Sequence, residues 1–357
     1  MQNNNVCCCQ SGQNCCDSLP QIQKKRWING YNEVKGRSIP IVSTTLDTYD
    51  ILGNIMVRWG ISRSDYKITP GLYCVGKPDN ASPVLVTANY KLTFDKLRKE
   101  LDGLNAWILV LDTKGINVWC AAGKGTFGTE ELIEKILAVK LNEIIFHKVI
   151  ILPQLGAVGV QAHKVKEKTG FRVIYGPVRA SDIKEFLKNN LKKTEKMKKV
   201  TFNLADRLAV IPVELVGSLK LMFLFLLLFV ALNWNNISLK ILYDFLPFLG
   251  AILTGCVAVP ALLPWLPFRA FVLKGFVAGV LWWAIIGVIY KFSLVNMITF
   301  FFLLTPLTSF LSLNFTGATT YTSQSGTMIE VKKSMPFIIV FLIIGVVLKL
   351  LVEFKII

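Results

Sequence analysis

Acidic residues are scarce in this chain of 357 residues: 23 Asp and Glu stand against 40 Lys and Arg, a net charge of +17. Such an imbalance suits an anionic partner, either nucleic acid or a lipid surface. Much of the basic charge lies between 184 and 207, beside the first long apolar run, which favours lipid headgroups over nucleic acid. Histidine is scarcer still, with only His147 and His163. The sequence does not open with a basic stretch followed by an apolar one, so no signal peptide is expected. Cysteine pairs of zinc-site spacing and a ferredoxin-type cysteine run are both missing, so an electron-transfer cluster has to come from another protein. The apolar half contains no central pair of carboxylates, which disfavours an ion- or proton-coupled transporter.

What is present changes character near Arg207. Beyond it, five apolar runs at roughly 213–232, 245–266, 269–290, 292–312 and 336–353 are long enough to cross a bilayer, which takes about 18 residues or more. Pro247, Pro260, Pro264 and Pro306 fall within two of them and are expected to kink rather than break bundle helices. The basic block from Lys192 to Lys199, with Arg207, precedes the first run. By the positive-inside rule the globular part and the 313–335 loop face the cytoplasm, although Lys349 and Lys355 pull the other way. The expected organisation is therefore a flexible cysteine-rich segment 1–37, a cytoplasmic domain 38–190, a basic linker 191–212 and a five-helix transmembrane domain 213–357 in the cytoplasmic (inner) membrane.

Cys7, Cys8, Cys9, Cys15 and Cys16 crowd the polar amino-terminal segment. In a reducing compartment they are thiols rather than a disulfide framework. Clustered thiols capture soft metals, but an incidental flexible tail accounts for them equally well. Cys74 and Cys256 are expected to be packing residues.

From Ser82 onward short β-branched runs alternate with amphipathic stretches. "PVLVTA", "AWILVLDT", "KVIILP" and "FRVIYG" read as strands; "FDKLRKEL", "TEELIEKILAVKL", "VQAHKVKEKTG" and "ASDIKEFLKNNLKK" read as helices, the last with Ser181 as its N-cap. That alternation implies an α/β unit on a parallel sheet, with ligands bound beyond the carboxyl ends of the strands. Those ends carry Thr87 to Asn89, Asp112 to Cys120, Pro153 to Ala157 and Gly176 to Arg179.

One of these ends reads "NVWCAAGKGTFGTEEL", from Asn117 to Leu132, and holds the GxGxxG glycines Gly123, Gly125 and Gly128. A dinucleotide fingerprint needs an acid at the end of the following strand, about 20 positions on, yet that strand ends "IILPQ". A phosphate loop needs GxxxxGK[ST], which is not satisfied. A free cysteine is ordinarily a small buried hydrophobe. Cys120 differs, because it lies at the ligand edge shortly before a helix start with Lys124 nearby, and both features favour thiolate, the form that ligates metal. Ala121, Ala122 and Gly123 would let a large planar ligand approach the backbone.

"NVWCAAGK" resembles the signature of the HgcA family, the corrinoid proteins of microbial mercury methylation. "VTANYKLTFDKLR", "LPQLGAVGVQAHKVKEKTGFRVIYGPVRASDI" and "NFTGATTYTS" resemble the same family and its relative, the large subunit of the corrinoid iron–sulfur protein of acetyl-CoA synthesis. The resemblance spans roughly 40–355, and the apolar bundle fits the HgcA family rather than the soluble protein. It implies a Rossmann-like corrinoid-binding domain followed by an all-α transmembrane bundle of five helices. It implies a cobalt corrinoid of the cobalamin type with Cys120 as lower axial ligand, and Asn117, Val118 and Trp119 along the lower corrin face. Ala121, Ala122, Gly123 and Lys124 would shape the cap, Thr87 and Thr93 of the first strand–helix loop would line the pocket, and Gly176 and Arg179 would add to the opposite wall. The family's proline in "LGAPGV" is Val158 here, which affects the local turn.

A histidine-ligated corrinoid protein would show DxHxxG, and neither His147 nor His163 sits in that pattern. By the resemblance the chain is a corrinoid-dependent methyltransferase that passes a methyl group to Hg(II). A methylated folate or its methyltransferase would be the donor, and an HgcB-type ferredoxin with iron–sulfur clusters would return the electrons. The amino-terminal thiols would then be placed to hand over Hg(II). A methyl carrier serving another acceptor in one-carbon metabolism shares all of these residues. A membrane receptor binding a nucleotide would instead depend on Gly123 and Gly125 and be indifferent to Cys120.

Overall fold

The computed structural model describes residues 25–232, 239–316, 319, 321–322, 324–354 and 356. The amino-terminal cysteines Cys7, Cys8, Cys9, Cys15 and Cys16 lie outside them. Two compact units divide the chain: one runs to Ile51 and resumes over Ser64–Lys199, the other joins Leu52–Arg63 to Val200–Ile357.

The first unit is built on seven strands: β1 (Ile28–Val34), β2 (Arg37–Val42), β3 (Gly71–Val75), β4 (Val84–Ala88), β5 (Ala106–Leu111), β6 (Val149–Leu152) and β7 (Arg172–Tyr175). They lie in the order β1-β2-β3-β5-β4-β6-β7. The four strands expected from the alternating pattern are mutually parallel, β5 beside β4, β4 beside β6 and β6 beside β7. Their carboxyl ends therefore share one edge. The sheet is nonetheless mixed, since β3 runs antiparallel to β5 and β1 forms an antiparallel hairpin with β2. It also begins at Ile28, ten residues ahead of the expected boundary at 38. β1 carries polar residues at alternate positions, and its half-exposed edge gives no long apolar run to read.

Among the described residues eight helices belong wholly or in part to this unit: α1 (Thr48–Arg58), which passes into the second unit at Leu52, α2 (Lys91–Glu100), α3 (Val118–Lys124), α4 (Thr129–Ala138), α5 (Leu141–Ile144), α6 (Ala162–Thr169), α7 (Ile183–Lys188) and α8 (Glu195–Lys198). Every residue of β5 is buried, so "AWILVL" reads as an unbroken apolar run although its side chains alternate between two cores. Trp107, Leu109 and Leu111 join Val84, Val86 and Ala88 under Val118, Ala121, Leu132 and Ile136. Ile108 and Val110 face the other way with Leu85, against Phe94, Leu97, Ile183 and Phe186. Ser181 does not cap α7; its hydroxyl donates to Asp182 Oδ1 at 3.2 Å, and a 3₁₀ turn over Ala180–Asp182 leads into the helix.

The start of α1 is tied to α2 by four buried charges. Lys91 Nζ bonds Asp50 Oδ1 at 2.6 Å and Asp95 Oδ2 at 2.7 Å. Arg98 Nε bonds Asp95 Oδ1 at 2.8 Å, its second guanidinium nitrogen pairs with Asp50, and Nη1 donates to the carbonyls of Ser43 and Thr45. Two cations and two carboxylates balance, so the cluster carries no net charge into the interior.

In the second unit, four helical stretches among the described residues are long and apolar enough to cross a membrane: Phe245–Leu262, Phe271–Tyr290, Leu294–Leu313 and Gly326–Glu353. They correspond to four of the five expected runs. The remaining run, 213–232, falls on the 22-residue helix Ile211–Leu232. Gly275 and Gly279 sit against Thr308, Ser309 and Ser312, where an added Cβ would come within 3 Å of their atoms.

Truncating Arg98→Ala leaves two buried carboxylates facing one lysine and is expected to cost about 3–5 kcal/mol, read from amide exchange of β4 and β5 in the full chain. Burial raises the Asp50 carboxyl, but the Lys91 hydrogen bond and the Lys91 and Arg98 charges outweigh it and hold it below the usual range. A depressed folded pKa adds stability above the unfolded value of about 3.9 and loses it as pH falls through the folded one. The stability advantage of wild type over Asp50→Asn should therefore shrink on acidification below about pH 4 and stay constant at neutral pH.

Candidate functional site

Asn89, the first residue after β4, organises the parallel-strand edge. It is 2 % exposed. Its Oδ1 accepts the backbone N–H groups of Thr113 at 3.1 Å and Gly115 at 3.0 Å, and the Thr113 hydroxyl lies 2.8 Å away. Its Nδ2 donates to Asp112 Oδ1 at 3.0 Å. One carboxamide thus gathers the turn after β5. That turn runs through two left-handed residues, Lys114 at φ 59° and Gly115 at φ 74°, and a Cβ on Gly115 would lie 3.2 Å from the Ser64 carbonyl.

Asp112 is held from three sides. Burial would raise its carboxyl, but hydrogen bonds from the Lys114 side chain and backbone, the Lys114 charge and the Asn89 amide keep it below the usual carboxylate range. Its backbone N–H donates to Glu131 Oε1 at 2.7 Å, tying the end of β5 to the first turn of α4.

The turn delivers the chain to α3. Asn117 is its N-cap, and the side-chain Oδ1 accepts the Cys120 N–H at 2.9 Å. Cys120 thus lies inside the first turn of a helix rather than shortly before one, because "NVWCAAGK" is itself helical from Val118. The helix sorts its residues into two faces. Val118, Ala121 and Ala122 are buried in the core, whereas Trp119, Gly123 and Lys124 are exposed and Cys120 is half-buried beside them. The outer face therefore presents the thiol next to an indole, with bare backbone at i+3 and an ammonium at i+4.

The three glycines have separate duties. Gly123 is a helix residue on that outer face. Gly125 closes α3 in the left-handed conformation at φ 81°, and Gly128 is the N-cap of α4. No phosphate cradle results, since the pattern marks a helix–turn–helix corner. Phe127 fills that corner, fully buried, and the loop after β6 closes over it. Side chains at Gly156 and Gly159 would come within 2.5 Å of the Phe127 ring and 2.2 Å of its carbonyl. Val158, strongly exposed, stands in that loop, and the turn forms without a proline there. Tyr175 Oη then donates to the Val160 carbonyl at 2.6 Å, linking the end of β7 to the same loop.

The other expected pocket residues are dispersed. Thr87 is within β4, buried, on the sheet face of Leu85 rather than in a loop. Thr93 is half-buried in the first turn of α2. Gly176 is buried after β7, where its N–H donates to the Leu152 carbonyl at 2.7 Å, and Arg179 precedes the 3₁₀ turn at 180–182. Asn89, Asp112 and Glu131 escaped assignment as site residues; three polar residues closing an apolar strand pair were the available signal. Cys74 is fully buried, and burial pushes its thiol up to about 12. Cys256 is buried among apolar residues of the second unit.

Among the described residues no three His, Cys, Asp or Glu side chains converge into a metal site. A single thiol on an exposed helix face suits a metal that brings its own equatorial donors in a planar ring, and the missing side chain at Gly123 leaves such a ring room to approach.

Residues 25–187 match the family of the CO dehydrogenase/acetyl-CoA synthase delta subunit. The chain is 28% identical over 155 residues to the gamma subunit of the acetyl-CoA decarbonylase/synthase complex of Archaeoglobus fulgidus, covering 42% of this chain and 33% of the relative. It is 34% identical over 127 residues to the Methanopyrus kandleri gamma subunit, covering 35% and 27%. It is also 34% identical over 119 residues to the corrinoid/iron-sulfur protein large subunit of Moorella thermoacetica, covering 33% and 26%. The chain thus spans a third or less of the length of these relatives.

Asn89→Ala orphans buried donors of the 113–115 turn and is expected to cost about 1–3 kcal/mol, with amide exchange accelerating from Thr113 to Cys120 and not in β1. By its α/β unit, this chain is similar to subunits of acetyl-CoA synthase systems and to a corrinoid/iron–sulfur protein, with the family match ending ahead of the apolar helices.

Proposed function

We propose that the α/β unit holds a corrinoid and that the chain is a membrane-anchored methyl carrier, with Cys120 as the lower axial ligand of the cobalt. The observation that carries this reading is the outer face of α3. It places one thiol beside bare backbone at the parallel-strand edge, within residues 25–187, which match the CO dehydrogenase/acetyl-CoA synthase delta subunit family, in a chain similar to a corrinoid/iron–sulfur protein. When bound, the corrinoid supplies a cobalt-bound methyl group for transfer to an acceptor.

The chain's own residues prepare the place. Asn117 takes the Cys120 N–H, which keeps the first turn of α3 helical and the thiol on the outer face. Asn89 and Asp112 hold the turn that aims α3. Trp119 and Lys124 are exposed on the same face of α3 as the half-buried thiol. Thr87, Thr93, Gly176 and Arg179 stand at or behind the ends of β4 and β7, the regions from which the pocket wall would be drawn.

Two acceptors divide the reading. Similarity to acetyl-CoA synthase-system subunits favours methyl transfer in one-carbon metabolism, with partner subunits supplying the rest of the reaction. "NVWCAAGK" favours Hg(II), because this string resembles the HgcA signature; an HgcB-type ferredoxin and a methylated folate would then be the partners. The basic block ahead of the apolar helices favours a cytoplasmic α/β unit in either case.

The full chain in detergent, loaded with methylcobalamin, separates these readings by absorbance. Wild type should show a thiolate-ligated spectrum that Cys120→Ala loses while retaining its fold. Bleaching of the Co–C band by Hg(II) in wild type alone would assign the acceptor, and no bleaching would leave the one-carbon role. A bound corrinoid whose spectrum ignores Cys120 would overturn the ligand assignment. A folded chain that takes up no corrinoid would overturn the proposal.

A further inference from the structure

The segment Leu52–Arg63 leaves most of its apolar side chains exposed. Leu52, Ile55, Met56, Trp59 and Ile61 are each between 44% and 56% exposed. Within α1 they are not scattered. Leu52, Ile55, Met56 and Trp59 recur at helical spacing on one face, while Val57 on the opposite face is 1% exposed. A soluble surface helix carries the reverse arrangement, polar residues outward and apolar residues inward.

Charge follows the same division. No acidic residue occurs between Ile51 and Ser64, and Arg58 and Arg63 are the only charged side chains there, in a segment bracketed by Asp50 and Asp65. The segment also belongs to the compact unit that carries the apolar helices rather than to the α/β unit. Gly60, in the left-handed conformation at φ 77°, ends the helix against the start of Ile211–Leu232, where an added Cβ would lie 3.5 Å from Val213 Cγ2. Val213 stands at the start of the first apolar run, where a chain entering a bilayer would meet the headgroups, and Trp59 precedes the glycine beside it.

We infer that α1, from Leu52 to the Trp59–Ile61 turn, is an in-plane interfacial helix whose apolar face lies in an anionic phospholipid surface, with Arg58 and Arg63 at the headgroups. Tryptophan is favoured at that depth, and an apolar face flanked by arginines gains both buried area and attraction to anionic lipid. A second protein could cover an apolar face, but it would not account for the location of the patch at the first residues of the apolar helix Ile211–Leu232. The inference does not depend on the corrinoid or on its acceptor.

The test uses the full chain in phosphatidylglycerol nanodiscs, with the photoreactive residue p-benzoylphenylalanine placed at Ile55 or Trp59 and, as controls, at Glu134 or Lys164, which are exposed on α4 and α6. Irradiation should add the mass of one phospholipid to the chain at positions 55 and 59 and none at 134 and 164. A cross-link to a second copy, or lipid adducts no stronger than at the controls, would overturn the inference. A second readout needs no unnatural residue: brominated phosphatidylglycerol should quench the emission that wild type has and Trp59→Phe lacks. An unquenched difference spectrum would equally overturn it.

Discussion

A single buried carboxamide governs the functional edge of this protein. A turn between a strand and a helix exposes backbone N–H groups that have no ladder partner, and a buried turn must satisfy them from side chains. Asn89 does so for the turn after the neighbouring strand, accepting from Thr113 and Gly115 while donating to Asp112. Strand order makes this possible. β4 and β5 are parallel and adjacent, so the residue following one lies beside the turn following the other. Asp112 passes the constraint on to α4 through Glu131, and Asn117 passes it to Cys120. The position of Cys120 is thus fixed by polar contacts from its neighbours in the fold.

The second constraint is steric. α3 and α4 meet at a corner only Phe127 fills, and the loop after β6 must cross directly above it. Gly156 and Gly159 make that crossing possible, and Gly125 and Gly128 let the chain leave one helix and begin the next within four residues. Of the five glycines near the site, Gly125, Gly128, Gly156 and Gly159 serve packing or turning, whereas Gly123 lies on the exposed face of α3, three residues from Cys120.

Much of this was legible in the amino-acid order and some was not, for physical reasons. β4 to β6 are buried on both faces or nearly so, and fully buried strands announce themselves as apolar runs bounded by turn residues. β1 and β2 form an edge hairpin with one wet side, so their pattern was faint, and the sheet's true start at Ile28 went unread. The helical character of Val118–Lys124 was hidden by three closely spaced glycines, two of which lie beyond the helix. Cys120 stands out in the sequence by its place at the end of an expected strand and by neighbours that resemble a known motif; its capping by Asn117 follows from the same string, since Asn three residues before a helix N–H is a common N-cap. The role of Asn89 could not be read from order alone, because it depends on which strand lies beside β4. The apolar face of α1 was invisible among polar turns until burial showed which side of the helix was covered.

The apolar helices bear on what the protein can do. They contain buried polar groups that would ordinarily suggest a path for ions: Thr299, Thr305, Thr308, Ser309 and Ser312 on one helix and Lys274 on another. Each is already engaged. The hydroxyls donate to carbonyls of their own helix one turn back or, at Ser312, to the Phe271 carbonyl as an alternative. Lys274 donates to the carbonyls of Leu263 and Leu266, which a helix end leaves free. Small hydroxyl-bearing residues opposite Gly275 and Gly279 let two helices approach closely, the usual means of packing where lipid tails remove the hydrophobic drive. These hydroxyls and the Lys274 ammonium are thus satisfied within the bundle itself. The match to a known family, over residues 25–187, ends ahead of these helices.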